Sequence, residues 1–379
     1  MLITNCAACA APLAHDAPRC VRCKTRYCNS TCQHDHWRRG HKQICKKIHR
    51  GGNAEQHHAN KKYKEAVAVA VEKCADDTKG QTCYICTEAV HWKTKEGLVR
   101  GCSCRGTAGF AHVSCLSEQA KILMEEAQEN NLDGKVQNAR WDRWHACSLC
   151  EQRYHGVVNC ALSWACWKTN VDRPEADRFR MSAMTQLGNG LCAADHDIDA
   201  LSVREAQVST MQRVGAPEQS ILTAQSNLAM TYQALGRKER ALKLERDVYL
   251  GTLRLLGEEH HDCLISANNL AASLCNLQHF DEARALLRKV TPVAQRVFGD
   301  SHELTLRMRR IYAKTLYEDN TATLDDLREA VTTLEDVERI ARRVFGGAHP
   351  VTMGFEERLE ESRAALHARE MSTSSTSSK

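Results

Sequence analysis

The chain has 379 residues, 20 of them cysteine, and a formal net charge of +5. That length accommodates two or three domains, and so modest a charge gives no reason to expect a nucleic-acid partner. No N-terminal stretch combines a basic start, an apolar run and a small-residue cleavage site. The longest apolar stretch near a candidate anchor, Gly156 to Trp167, falls short of the roughly 20 residues that cross a bilayer. The expectation is a soluble intracellular protein without a membrane partner, cytoplasmic with the nucleus left open. In a reducing compartment dense cysteine points to metal before disulfide. Fifteen cysteines precede Glu151, whereas only three fall between Glu175 and Glu370, a region rich in Ala, Leu, Glu and Arg. Metal chemistry belongs to the front of the chain and helices to the back.

The first cluster reads Cys6-x2-Cys9, Cys20-x2-Cys23, Cys28-x3-Cys32 and His41-x3-Cys45. Such spacings come from tight turns or one helical turn and aim two ligands at one tetrahedral ion, so these seven thiols and one imidazole make two four-ligand zinc sites. A segment this short cannot bury enough apolar surface to fold alone, and structural zinc contributes on the order of 10 kcal/mol or more to such modules. The string YCNSTCQHDHWRRGHKQIC, Tyr27 to Cys45, resembles the MYND-type zinc finger, which implies a domain over 1–48. The resemblance also implies interleaved sites, Cys6, Cys9, Cys28 and Cys32 on one zinc and Cys20, Cys23, His41 and Cys45 on the other. By resemblance Gln33 and Trp37 line a groove for short proline-containing peptides, although Trp37 equally suits a packing role. Asn29 stands where the family usually has Ser. His34 and His36 read as solvated neighbours, either of which could replace His41 under a different pairing.

From 49 to 78 the chain is polar and basic with paired glycines, Gly51 and Gly52. It reads as a linker that leads into a short helix, Tyr63 to Cys74.

The second cluster runs Cys83-x2-Cys86, Cys102-x-Cys104, His112-x2-Cys115 and Cys147-x2-Cys150, again eight ligands for two sites. With Gly106 after CSCR and the HVSCL around His112, it resembles the RING-CH type of cross-brace finger, expected over 79–170. That resemblance implies one zinc on Cys83, Cys86, His112 and Cys115 and another on Cys102, Cys104, Cys147 and Cys150. It further implies that a ubiquitin-conjugating enzyme is held at Ile85, with its thioester aligned for attack, catalysis by orientation without a catalytic residue of the finger's own. Two positions depart from active relatives. Gln119 stands in place of the usual Trp, and Glu151 follows the last ligand where a cation is common; a carboxylate cannot donate the hydrogen bonds of an arginine fork, though Arg153 lies two residues on.

Within the insert, Leu116, Ala120, Leu123, Met124 and Ala127 recur at helical spacing and predict a helix from Leu116 to Glu129, with Trp141 and Trp144 packing beneath the finger. His155, Cys160 and Cys166 lack a fourth ligand, so the two thiols are read as buried on a short apolar helix, as are the lone Cys74, Cys192, Cys263 and Cys275.

The rest is periodic. Gly257 and Gly299 lie 42 residues apart, as do Asn227 and Asn269, each followed by Leu-Ala. Stripes such as Leu264, Ala267, Leu270, Leu274 and Leu277 predict stacked helix pairs. A third unit ends at Gly346, and a degenerate earlier one covers Asp177 to Gly215. The closing glycines suit a left-handed residue at a helix end, and Pro292 inside a predicted helix should bend it. These units resemble the kinesin-light-chain-like tetratricopeptide repeat, which implies a solenoid over 175–368 with a concave face for peptides. Asn227 and Asn269 either contact such a peptide or tie neighbouring repeats together. The serine-rich end, 369–379, reads as disordered.

The fold class expected is thus multi-domain, two small zinc-stabilised α+β fingers before an all-α repeat solenoid, with four zinc ions. Function divides between a RING-CH-type ubiquitin ligase, whose MYND finger and repeats select protein substrates, and a non-enzymatic protein-interaction scaffold.

Overall fold

The computed structural model describes residues 6–11, 13, 17–347 and 349–376, of residues 372–376 only the backbone. The chain divides into two compact units, 1–216 and 217–379. None of the described helices is long and apolar enough to cross a membrane.

In the first unit, short helices α1 (Ser30–His36) and α2 (Lys42–Arg50) carry Cys32 and Cys45 of the first cluster, with Cys28 just before α1 and His41 just before α2. Between them the chain kinks at Gly40, whose φ of 125° suits glycine. Helix α3 (Ala54–Lys73) follows directly. The expected linker with a short helix is therefore mostly one long helix. Asn53 explains where it begins, its side chain accepting from the Gln56 amide as an N-cap. Its buried stripe, Ala59, Tyr63, Val67 and Ala70, belongs to the same core as Cys83, Phe110 and Trp144 of the second cluster. Polar composition hid this, because only one narrow face of α3 is apolar. The first amide of α3, on Ala54, donates to the carbonyl of Cys23 at 2.9 Å, so the helix starts on a ligand of the first cluster.

The second cluster lies in the long connection after α3. It contains α4 (Val113–Glu129), three residues longer at its start than its apolar spacing predicts, and α5 (Gly134–Trp141). Among the described residues the β component is limited to three isolated antiparallel bridges, Arg19 with Arg26, Val99 with Ala111 and Ala146 with Arg153, because the segments between ligands are too short for longer ladders. Trp144 is buried, and Trp141 stacks on Phe179 with ring centroids 5.5 Å apart.

Helix α6 (Gly156–Asn170) is the apolar segment that holds Cys160 and Cys166, both buried. It pairs with α3 across the whole intervening finger. Asn53 donates to Asp172 at 2.9 Å and Gln56 to the Lys168 carbonyl at 3.1 Å, so the start of α3 meets the end of α6 and the two run antiparallel. Helix α7 (Arg178–Cys192) then lies against α6 through Gln186, which donates to Asn159 and Ser163. Helix α8 (Asp197–Arg213) returns along α7, where Gln207 donates to the Met181 carbonyl. The degenerate repeat expected at 177–215 is this α7–α8 pair, and α3 with α6 forms a further pair beside it.

The second unit comprises α9 (Glu218–Ala234), α10 (Lys238–Leu256), α11 (His261–Asn276), α12 (Phe280–Phe298), α13 (Glu303–Tyr317), α14 (Leu324–Phe345) and α15 (Pro350–Thr376). The predicted stripe of α11 faces inward: Leu264, Ala267, Leu270 and Leu274 meet Ala283, Leu287, Val290 and Ala294 of α12 in one core, with Leu277 packed against it. Helix α12 continues through Pro292 as one element. Helix α15 takes in the tail as far as Thr376, since each residue added to an existing helix gains a hydrogen bond without a new nucleation cost; 377–379 lie outside the described residues. Between α9 and α11 runs a polar ladder. Gln219 donates to Asp262, Asn269 to Ser226 and Asn276 to Gln233, seven residues apart on each helix, which keeps the pairs on one face.

The closing glycines recur in structure as well as in sequence. Gly257, Gly299 and Gly346 sit at φ 82°, 88° and 89° with ψ 167°, 164° and 156°. Their ψ is extended rather than left-handed helical, a region essentially restricted to glycine. Three residues after each comes a histidine, His260, His302 or His349, whose Nδ1 accepts from the amide two residues on and caps the next helix. One departure from apolar packing stands out. Glu245 on α10 is fully buried, and among the described residues neither of its carboxylate oxygens has a hydrogen-bond partner. Burial pushes this carboxyl up to about 8.

Candidate metal centres

Four turns in the two clusters share one backbone design. In the turn Cys83–Glu88 the Cys83 amide donates to the Glu88 carbonyl and the Thr87 amide returns to the Cys83 carbonyl, with Thr87 at φ 63°. The turns starting at Cys6, Cys20 and Cys147 repeat the return bond at 2.9, 2.9 and 3.0 Å, with Ala10, Lys24 and Glu151 at positive φ. Each such knuckle aims amides at a sulfur: Ile85 N donates to Cys83 Sγ and Leu149 N to Cys147 Sγ, both at 3.4 Å. A fifth turn, His91–Glu96, has the same bonds and Lys95 at φ 60°. Thr94 replaces its second cysteine and donates to His91 Nδ1, so hydrogen bonds close this turn.

The knuckles bring the side chains into four quartets: Cys6, Cys9, Cys28 and Cys32; Cys20, Cys23, His41 and Cys45; Cys83, Cys86, His112 and Cys115; and Cys102, Cys104, Cys147 and Cys150. In every quartet the donor atoms lie within 4.8 Å of one another. Among the edges are 3.5 Å for Cys9–Cys28, 3.7 Å for Cys20–Cys45 and 3.8 Å for Cys104–Cys147. A zinc–sulfur bond of about 2.3 Å gives a tetrahedron whose edge is about 3.8 Å, so the spacing fits zinc-binding fingers. All twenty cysteines are free thiols.

The two histidines approach through different nitrogens. His41 Nε2 lies 3.4 Å from Cys23 Sγ, whereas His112 Nδ1 lies 3.4 Å from Cys86 Sγ and 3.6 Å from Cys115 Sγ. Burial holds both imidazoles below their ordinary value, in the neutral form a metal requires. His36 is more than a solvated neighbour. Its ring lies 4.8 Å from that of His41, and its Nδ1 meets the Tyr27 hydroxyl at 3.1 Å; the ring of Trp37 lies 5.7 Å from that of His41. His34 is exposed.

The thiols are electrostatically divided. Burial raises Cys6, but amides of Cys9, Ala8 and Cys28 outweigh it and hold the thiol at about 6. Cys150 is held at about 7 in the same way, chiefly by the Gln152 amide. Their neighbours are driven the other way, Cys28 to about 12 by its bond to Cys9, and Cys45 to about 12 by burial. Four sulfurs this close cannot all ionise without a cation among them. Gly109 (φ 82°) shows how tightly the last quartet is wrapped, since a Cβ there would stand 2.6 Å from that of Cys104.

Ile85 is 37% and Leu149 52% exposed, each at the tip of its knuckle. The two knuckles are tied by a hydrogen bond between Tyr84 and Ser148 of 3.0 Å. Leu149 was legible as the counterpart of Ile85, the third residue of its Cys-x2-Cys pair. Glu151 and Arg153 are exposed and Gln119 is half-buried. Gln33 is half-buried and Trp37 is exposed. Asn227 and Asn269 are half-buried, Asn269 spending its amide on Ser226 in the ladder.

Comparison with known families agrees with this layout. Residues 6–45 match the MYND finger, 83–150 the RING-variant domain, and 221–262 and 263–303 the tetratricopeptide repeat. The chain carries a MYND finger, a RING-variant domain and tetratricopeptide repeats. No curated protein matches it. Among solved structures it is similar to two crystal structures of nearly identical TPR-like repeats ascribed to a putative kinesin light chain of Podosopora anserina. One of them, a point variant, is 20% identical with a TM-score of 0.43 and the other 21% with 0.42, each match covering 61% of this chain and 97% of that one. It is also similar to BtubC (BKLC) from P. vanneervenii, 12% identical over 70% of this chain and 93% of that one, with a TM-score of 0.41.

Proposed function

We propose that the chain is a ubiquitin ligase of the RING-CH type that holds four zinc ions, one in each quartet. The observation that carries this is the RING-variant domain with both quartets assembled and two exposed apolar knuckle tips, Ile85 and Leu149, tied together by Tyr84 and Ser148. Cys83, Cys86, His112 and Cys115 would hold one ion of this finger and Cys102, Cys104, Cys147 and Cys150 the other. The bound ions supply structure and no step of the transfer. The work of the finger is positional: Ile85 offers a conjugating enzyme an apolar anchor on a rigid turn, and a thioester held in one orientation reacts faster than a tumbling one.

Substrate choice falls to the protein-interaction modules. In the MYND finger, Cys6, Cys9, Cys28 and Cys32 would hold one zinc and Cys20, Cys23, His41 and Cys45 the other. Gln33 and Trp37 would meet a partner peptide there, Asn227 and Asn269 in the repeats. Such a ligase works in the cytoplasm.

Purified protein with ubiquitin, activating enzyme and a panel of conjugating enzymes should build ubiquitin chains. His112→Ala should abolish them by opening a zinc site, and Ile85→Ala should reduce them at least tenfold while leaving zinc content at four equivalents. Silence across the panel favours a second reading, a scaffold that only binds proteins. That reading is motivated by the exposed carboxylate of Glu151 directly after the last ligand, where no hydrogen bond can be donated to ubiquitin.

A further inference from the structure

The pairing of α3 with α6 leaves a pocket that neither finger uses. It opens between the second half of α3, the first half of α6 and the turn from α7 to α8, and its volume is about 200 Å³. A dry cavity of about 150 Å³ accepts a benzene ring, so there is room for one large side chain. Trp164, Cys160 and Leu191 form the floor, with Ala66 and Ala194 on the walls. Trp164, Cys160 and Leu191 are all buried, whereas Val69 at the edge is 44% exposed. An apolar depression with an exposed aliphatic side chain at its edge offers a partner a place to bury a side chain of its own.

The rim is electrically lopsided. On the α3 side the two charges that line the pocket, Glu65 and Lys62, are paired at 3.1 Å. On the α8 side Asp199 and the exposed His196 line the mouth, with Asp195 and Asp197 flanking His196 in sequence. Among the described residues no ion pair engages Asp195 or Asp199. A partner that brought a carboxylate here would meet repulsion, and one that brought a cation would gain a match at a half-desolvated rim.

We infer that this pocket docks a linear peptide segment that inserts one large aliphatic side chain against Trp164 and sets an arginine or lysine beside Asp199. The residues that lead into and out of the inserted RING-variant domain are the ends of α3 and α6, the same halves that line the pocket. A segment anchored there is held on the body that carries the finger. The inference stands apart from ligase activity, since it concerns binding alone.

The test pans a phage library of random dodecapeptides against the full-length zinc-loaded protein, after depletion on a Val69→Asp/Asp199→Lys double variant whose zinc content and helical signal match the wild type. Surviving peptides should place Leu, Met or Ile within two positions of Arg or Lys. A fluorescein-labelled synthetic copy of the consensus should bind at least tenfold more weakly to Val69→Asp or to Asp199→Lys. The same loss should follow when Ala replaces its aliphatic residue or Glu its basic one. Ala66→Phe, which fills the cavity while sparing the charges, should also cost tenfold. Survivors without that pairing, none at all after depletion, or affinity indifferent to all three substitutions would overturn the inference.

Discussion

In the first unit four quartets of sulfur and nitrogen atoms are drawn to within 4.8 Å, on segments that form only isolated bridges and short helices around them. In the second unit no such quartet exists among the described residues, and the order comes from repeated apolar stripes, glycine stops and histidine caps. One half concentrates its stability in a few long-range points, the other spreads it over many local contacts. The contrast teaches that a short metal-held segment need not be a separate bead. The ligands Cys83, Cys102, Cys115 and Cys147 share one core with Tyr63 of α3, Trp164 of α6 and Leu187 of α7.

The largest effect should come from removing metal. Each structural zinc contributes about 10 kcal/mol or more, so a chelator should strip hydrogen-exchange protection from the RING-variant domain and, through the shared core, from α6 and α7. Peptides from α11 and α12 should keep theirs. If α6 stays protected after chelation, the shared core does not couple finger to helices and the contrast drawn here fails.

The second unit has its own weak point in Glu245. Its folded carboxyl titrates at about 8 against an ordinary 4.5, so between those values the folded chain binds a proton that the unfolded chain does not. Stability is therefore full below pH 4.5 and falls as pH rises through about 8. At pH 8.5 Glu245→Met should raise the stability of this unit by a few kcal/mol, since each pH unit is about 1.4 kcal/mol, and Glu245→Gln should flatten its pH dependence. Melting curves at pH 5 and 8.5 check both, and parallel curves for wild type and Gln variant would count against a buried proton.

A smaller change probes the joint between finger and helix. The amide of His155, just before α6, donates to the Gly101 carbonyl at 2.9 Å, and a Cβ on Gly101 would stand 2.5 Å from that of Val158. Gly101→Ala should cost about 1–3 kcal/mol as overpacking, and Val158→Ala in the same chain should recover part of it in a double-mutant cycle. The smallest effect expected is His302→Ala, the loss of one cap worth about 1 kcal/mol, seen in denaturant unfolding of the second unit alone.

Much of this was legible in the letters. Ligand spacing marks which side chains approach metal, and apolar period marks the helices from α9 to α14. The antiparallel pair of α3 and α6 was hidden for a physical reason. Its halves are separated by the whole second cluster, and most of α3 is polar apart from one buried stripe of Ala59, Tyr63, Val67 and Ala70. The caps carried a signal that repeat matching alone passes over, a histidine three residues after each closing glycine. Glu245 was visible too, as an acid between Leu242 and Val248 on an apolar stripe, but a letter cannot say whether such a group finds a partner. Leu149 was readable as the third residue of its Cys-x2-Cys pair, but the Tyr84–Ser148 bond is what shows that it shares a platform with Ile85.

The interrupted pairing also sets an order of events at the ribosome. Helix α3 emerges with its partner still unmade, and at roughly 5–20 residues per second several seconds pass while Cys74 to His155 are translated. During that interval the part of α3 that packs against α6 has no partner, and the rest of its apolar side waits for the second cluster to fold. Nascent chains starved of zinc should linger in this half-built condition, a natural station for chaperones and quality control to inspect them.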